Sequence, residues 1–130
     1  MGWDDPLAIH LMQEAMILTS STAGIFGYPN RAPYAAAKWA VIGLAKTLAL
    51  ELGPHGARAN AICPGSVSGP RMDGVIAREA AAKGMAEADV RAAYTSGVAL
   101  RTFVEGADVA NMAVFLASDK GRYITGQALS

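Results

Sequence analysis

Cysteine and histidine are scarce: Cys63 stands alone, and His10 and His55 lie far apart, so no internal disulfide can form and no spacing suggests a metal site. Excess charge is also lacking. Eleven basic and eleven acidic side chains cancel, and neither sign forms a run that could serve as a footprint for nucleic acid or an anionic membrane. Long apolar runs are missing too, since Lys38, Lys46, Glu51 or glycines interrupt them well short of a membrane span, and Met1-Gly2-Trp3-Asp4-Asp5 has no basic n-region. These absences predict an untargeted, cytoplasmic chain with neither nucleic-acid nor membrane partners. What is present is apolar: 52% of the 130 residues are hydrophobic and the mean hydropathy is positive, enough for one globular domain with a real core.

The punctuation of the chain predicts its elements. Asp5-Pro6 opens a short helix to about Glu14, and Ala15–Thr19 is an uncharged apolar run suited to a strand buried on both faces. Small residues, glycines and a proline from Ser20 to Ala32 form a loop at the C-terminal end of that strand, where open α/β sheets place their sites. Pro33 suits the first turn of a long helix that runs to Leu52 and stops at Gly53-Pro54. Its apolar residues surround it almost completely, so one face is expected on the sheet and another against a partner helix. Arg58–Cys63 is a second strand, and helices over about Pro70–Gly84 and Glu87–Ser96 form an excursion at about residues 70–100. Asp108 is expected to cap a helix over Val109–Ser118, and Thr125–Ser130 begins a third strand. Alternating strands and helices predict an α/β fold with a parallel sheet of about three strands, forming a single partial domain over residues 1–130.

Tyr34 and Lys38 lie four apart at the start of the long helix and so share one face. A free phenol has a pKa of about 10, and a neighbouring ammonium favours the phenolate, so Lys38 is expected to lower the pKa of Tyr34 and fit it for proton exchange. Ser21, at the end of the first strand, is placed to hydrogen-bond a substrate carbonyl or alkoxide. The plain alternative is a lysine that snorkels past a packed tyrosine, with Ser21 a turn residue. Met72, Ile76, Met85 and Tyr94 are expected to be packing residues, His55 a turn residue, Cys63 a small buried hydrophobe, and Trp39 a core or interface residue.

Ser21-Thr22-Ala23-Gly24, Tyr34-Ala35-Ala36-Ala37-Lys38, Asn60-Ala61-Ile62-Cys63-Pro64-Gly65 and Tyr123-Ile124-Thr125-Gly126-Gln127 stand in an order that resembles the short-chain dehydrogenase/reductase family. The resemblance covers about residues 15–130, which look like the catalytic half of such a protein. It implies a partial Rossmann-type, doubly wound fold with the N-terminal βαβ half missing, and use of NAD or NADP. It further implies an oxidoreductase that interconverts a ketone and a secondary alcohol on a small-molecule substrate. By position, Ser21 orients the substrate oxygen, Tyr34 is the acid/base, and Lys38 also binds the nicotinamide ribose. Pro64, Gly65, Ser66 and Val67 line the nicotinamide through their backbone. The pattern departs from the family at Gly69, where a threonine is usual, and no residue matches the family's glycine-rich turn or catalytic asparagine. Homo-oligomers, dimers or tetramers, built on the long helix are the implied assembly, and a non-catalytic remnant that associates in the same way is the alternative.

Overall fold

The computed structural model describes residues 15–130, and the helix expected from Pro6 to Glu14 lies outside the described residues. Strand β1 (Ala15–Thr19) leads through a short 3-10 turn (Thr22–Gly24) to helix α1 (Ala32–Leu52), and β2 (Arg58–Ile62) follows a second turn (Gly53–His55). Helices α2 (Pro70–Lys83), α3 (Glu87–Ser96) and α4 (Gly106–Ala117) come next, then a 3-10 turn (Asp119–Gly121) and the short strand β3 (Ala128–Leu129). The chain divides into two compact units, one made of the chain up to Pro64 together with Ala110–Ser130, the other of Gly65–Val109.

The first unit is built on a parallel sheet of order β1-β2-β3. In β1–β2 the register sets Ala15 against Arg58 and Thr19 against Ile62, and in β2–β3 it sets Ala61 against Ala128. The central strand is the most buried, with Ala59, Asn60, Ala61, Ile62 and the following Cys63 all in the interior. Its side chains are small, so α1 can lie close: Ile42 and Ala45 meet Ala61 and Cys63, with Leu18, Ile25 and Ala128 packed around them. Pro33 starts α1 at a position where its missing N–H costs nothing, and Gly56 (φ 83) closes the turn before β2 in a conformation open to glycine. Fully buried Leu52 and Leu116 each stabilise the unit by about 1.5–3 kcal/mol.

Asn60 ties two of the sequence motifs together. It is completely buried, its Nδ2 donates to the Ile124 carbonyl (2.9 Å), and its Oδ1 accepts from the Gln127 amide (3.0 Å). Arg58 Nη1 donates to the same Ile124 carbonyl, and Thr125 Oγ1 accepts from the Ala59 amide. The turn that delivers the chain into β3 is therefore fixed from β2.

The second unit holds its own core. Ile76, Ala80 and Val90 are buried where α2 meets α3, with Met72, Tyr94 and Phe103 against them. Glu79 accepts from Lys83 one turn on in α2 and, across the helix pair, from the Tyr94 hydroxyl (2.7 Å), and Arg91 pairs with Asp73 while lying over the Phe103 ring. Hydrogen bonds from Lys83 and Tyr94 hold the Glu79 carboxyl below its ordinary pKa. Of the four residues expected to pack, Met72, Ile76 and Tyr94 do so, whereas Met85 follows the end of α2 and is exposed.

Two element ends differ from expectation. α4 begins at Gly106, not after Asp108, and Asp108 reaches back from inside the first turn to accept the Glu105 amide (2.8 Å). This is the reciprocal half of a capping box, which in sequence looks like a cap. The third strand is confined to Ala128–Leu129 because Thr125–Gln127 is a turn, with Gly126 at φ 68. Among the described residues, no helix is long and apolar enough to cross a membrane.

Candidate active site

The C-terminal end of β1 carries Ser20, Ser21 and Thr22. The parallel ladder continues past the strand through Ser20 N–H to Ile62 O (2.8 Å) and Thr22 N–H to Pro64 O (3.1 Å), so the segment holding Ser21 is pinned to the end of β2 on both sides. Ser21 is half-buried with extended backbone, and its Oγ accepts from the Ala23 amide (3.2 Å), which caps the 3-10 turn. That bond occupies one lone pair and leaves the hydroxyl proton to be donated elsewhere.

Helix α1 then brings Lys38 to the same strand end, with the Tyr34 ring beside its ammonium. The Lys38 Nζ donates to the Thr19 carbonyl at 3.3 Å, the last residue of β1, and lies 5.6 Å from the centre of the Tyr34 ring. The lysine is half-buried, and its ammonium is tethered across 19 residues of chain by an exposed hydrogen bond, an arrangement a snorkelling lysine also gives. Tyr34 is 39% exposed and open to a ligand, and Tyr28 packs against its ring at a centroid distance of 6.3 Å.

Three residues to which the sequence reading gave no role of their own hold this unit together. Ser20 is 3% exposed, and its Oγ donates to the Lys38 carbonyl at 2.7 Å. Gly24 lies where α1 crosses the turn: a Cβ there would fall 2.4 Å from Ser20 Oγ and 2.7 Å from Lys38 O. Asn60 anchors the neighbouring strand, as described above. In sequence these are a serine before a serine, a glycine in a loop and an asparagine in a strand, and only their tertiary partners distinguish them. Cys63 is fully buried beside Ser20, and burial pushes its thiol pKa up, which suits an inert packing residue. His55 ends a 3-10 turn as expected, and Trp39 is half exposed on α1.

Pro64 belongs to the first unit, its carbonyl engaged by Thr22. Gly65, Ser66 and Val67 belong to the second, where Val67 bridges Val104 in parallel fashion. In that bridge Ser66 O accepts from Val104 N–H (3.1 Å) and Ser68 N–H donates to Val104 O (2.8 Å), so neither the amide nor the carbonyl of Val67 is used. Gly69, where the family pattern has threonine, has φ 140 and turns the chain into α2, a conformation that a β-branched residue would strain.

A three-stranded parallel sheet with flanking helices is the arrangement of a Rossmann-type α/β protein. The sequence matches, over residues 7–130, the family described as enoyl-(acyl carrier protein) reductase. It is 37% identical over 116 residues to trans-4-hydroxycyclohexanecarboxylate dehydrogenase of Sinomonas cyclohexanicum, covering 89% of this chain and 39% of that protein. It is 35% identical over 124 residues to a 3-oxoacyl-(acyl-carrier-protein) reductase of Staphylococcus epidermidis, covering 95% of this chain and 46% of the relative. Among solved structures, sorbitol-6-phosphate 2-dehydrogenase of Erwinia amylovora superimposes with a TM-score of 0.83 at 30% identity, over 90% of this chain and 46% of that one. An NAD+-bound xylitol dehydrogenase gives a TM-score of 0.82 at 28% identity, over 93% and 48%. The chain belongs to the short-chain dehydrogenase/reductase family, a family of oxidoreductases. It spans less than half the length of the curated relatives it matches.

Proposed function

We propose that this chain carries the proton-transfer site of an NAD(P)-dependent oxidoreductase that interconverts a ketone and a secondary alcohol. The observation that supports the reading is the Lys38 ammonium, held by the Thr19 carbonyl at the strand end that carries Ser21 and lying 5.6 Å from the centre of the Tyr34 ring. Relatives named as dehydrogenases and reductases, and structures described with NAD+ or NADPH, support it.

In this reading Ser21 donates its hydroxyl proton to the substrate oxygen and fixes its direction. Tyr34 delivers a proton to that oxygen in reduction and takes it back in oxidation. Lys38 places positive charge beside the phenol, where negative charge develops as the proton leaves, and its remaining N–H directions suit ribose hydroxyls. The nicotinamide, when bound, supplies or accepts the hydride. The residues fit such a group: the Val67 amide and carbonyl, left out of the Val104 bridge, offer the complementary donor and acceptor that a carboxamide needs. Titration with NADH and NADPH, read by nicotinamide fluorescence, tests the cofactor assignment. Saturable binding is expected, and a linear, non-saturating signal with both would count against it.

A second reading, a non-catalytic member that associates with copies of itself, draws on α1. Trp39 and Leu44 are each 51% exposed and Leu50 is 81% exposed, an apolar surface that water solvates poorly. Self-association through α1 belongs equally to the catalytic reading, so the homo-oligomer is proposed in both.

A further inference from the structure

The residue before the proposed substrate-orienting serine has a part of its own. Ser20 is 3% exposed, so its hydroxyl is withdrawn from substrate and solvent. It donates at 2.7 Å to the backbone carbonyl of Lys38, the residue whose side chain reaches back to Thr19. Strand end and helix are thus joined twice at the same place: once from strand to helix through Ser20 Oγ, once from helix to strand through Lys38 Nζ. The absence of a side chain at Gly24 is what permits the approach, since a Cβ would fall within 3.0 Å of Ser20 Oγ, Lys38 O and Lys38 C.

The geometry points to Ser20 as a positioning residue: its hydrogen bond to the Lys38 carbonyl sets the distance between the strand end that presents Ser21 and the helical turn that presents Tyr34 and Lys38. A carbonyl inside a helix already accepts one bond from four residues on, so fold formation does not require a second donor there. The additional bond restrains how α1 lies against the strand end, and displacements of about 1 Å at a reacting centre cost up to about a hundredfold in rate. This inference rests on the catalytic reading given above, but its first test does not.

That test is lysine acetylation of the folded chain, resolved by mass spectrometry at Lys38, Lys46, Lys83 and Lys120 in parallel. In Ser20→Ala, loss of the helix restraint should loosen the Lys38–Thr19 contact, so Lys38 should label about fivefold faster, the change that one net hydrogen bond governs. The other three lysines are exposed in the folded chain, so they control for reagent dose and should keep their rates, while a melting curve of each variant reports global unfolding. Ser20→Thr keeps the donor and should label at the parent rate. A Lys38 rate unchanged in Ser20→Ala, or raised only in proportion to the other lysines, would overturn the inference and leave Ser20 a plain packing residue; so would a Ser20→Thr chain that labels as fast as Ser20→Ala. In the active protein, Ser20→Ala should lower kcat about tenfold with little change in KM. Lack of turnover in the parent protein would bear on the proposed function and not on the labelling result.

Discussion

Gly24→Ala isolates the crossing of α1 over the strand end, and its cost can be worked from the structure. The added methyl would sit 2.4 Å from Ser20 Oγ, 2.7 Å from Lys38 O and 2.9 Å from Lys38 C, whereas real Cβ atoms essentially never come nearer than 3.0 Å. Two of the three atoms belong to helix backbone, so no rotamer change relieves the clash. α1 or the turn must move. Overpacking of this kind costs about 1–3 kcal/mol, and a helix that withdraws also gives up the Ser20 hydrogen bond, about another 1 kcal/mol. The sum, about 2–4 kcal/mol, is a large part of the 5–15 kcal/mol typical of a domain, and the melting temperature should fall by roughly 10 °C. Gly43→Ala is the control. It lies within α1 with nothing inside 4 Å of the added methyl, so the same change should stabilise by about 0.5–1 kcal/mol through helix propensity. Thermal and urea denaturation of the two variants and the parent give the comparison. A Gly24→Ala chain as stable as the parent would refute the claim that helix and strand end are held in close contact there.

Three further outcomes follow from other parts of the structure. Asn60→Ala should destabilise by about 1–3 kcal/mol in denaturant titration, because it empties a fully buried site, leaves the Gln127 amide without its acceptor and removes a donor from Ile124. Glu79 is held below its ordinary pKa of 4.5 in the folded chain, so it binds protons less readily than in the unfolded chain. Its contribution to stability is therefore full above about pH 4.5 and lost as the pH falls through the lower folded value, and Tyr94→Phe should weaken that acid sensitivity in circular-dichroism titrations. Light scattering after size exclusion should give a mass above that of one chain at micromolar concentration, with Leu50→Lys and Trp39→Lys together shifting it toward the monomer; a parent that is monomeric there contradicts the role given to the exposed face of α1.

The elements were legible where sequence punctuation and local burial agree. β1 stands at Ala15–Thr19 as its uncharged apolar run predicts, and α3 occupies Glu87–Ser96. α1 starts around Pro33 and ends at Leu52 before Gly53-Pro54 because those residues act on the backbone directly. What escaped was set by tertiary partners. Asp108 resembles a cap in sequence, but its carboxylate serves the Glu105 amide from within the helix. The Tyr123–Gln127 motif looked like a strand entrance, yet it is a turn shaped by the buried Asn60 side chain more than sixty residues earlier in the sequence. Ser21, Tyr34 and Lys38 could be found as a candidate set because four residues is one helical turn and a strand end adjoins it. Ser20 could not, since a buried hydroxyl on a helix carbonyl leaves no local pattern, and Gly24, though within a motif, had its part hidden in the close approach of α1.

Tyr34 is the group proposed to move the proton. In the active protein, nicotinamide oxidation should be followed spectrophotometrically for the parent and for Tyr34→Phe, alongside melting curves and nucleotide titrations. The variant should fold and bind nucleotide as the parent does, because the ring is kept and only the hydroxyl is lost. Its turnover should fall by at least about a hundredfold, the contribution of a positioned general acid. A folded Tyr34→Phe chain that turns over at the parent rate would contradict the account.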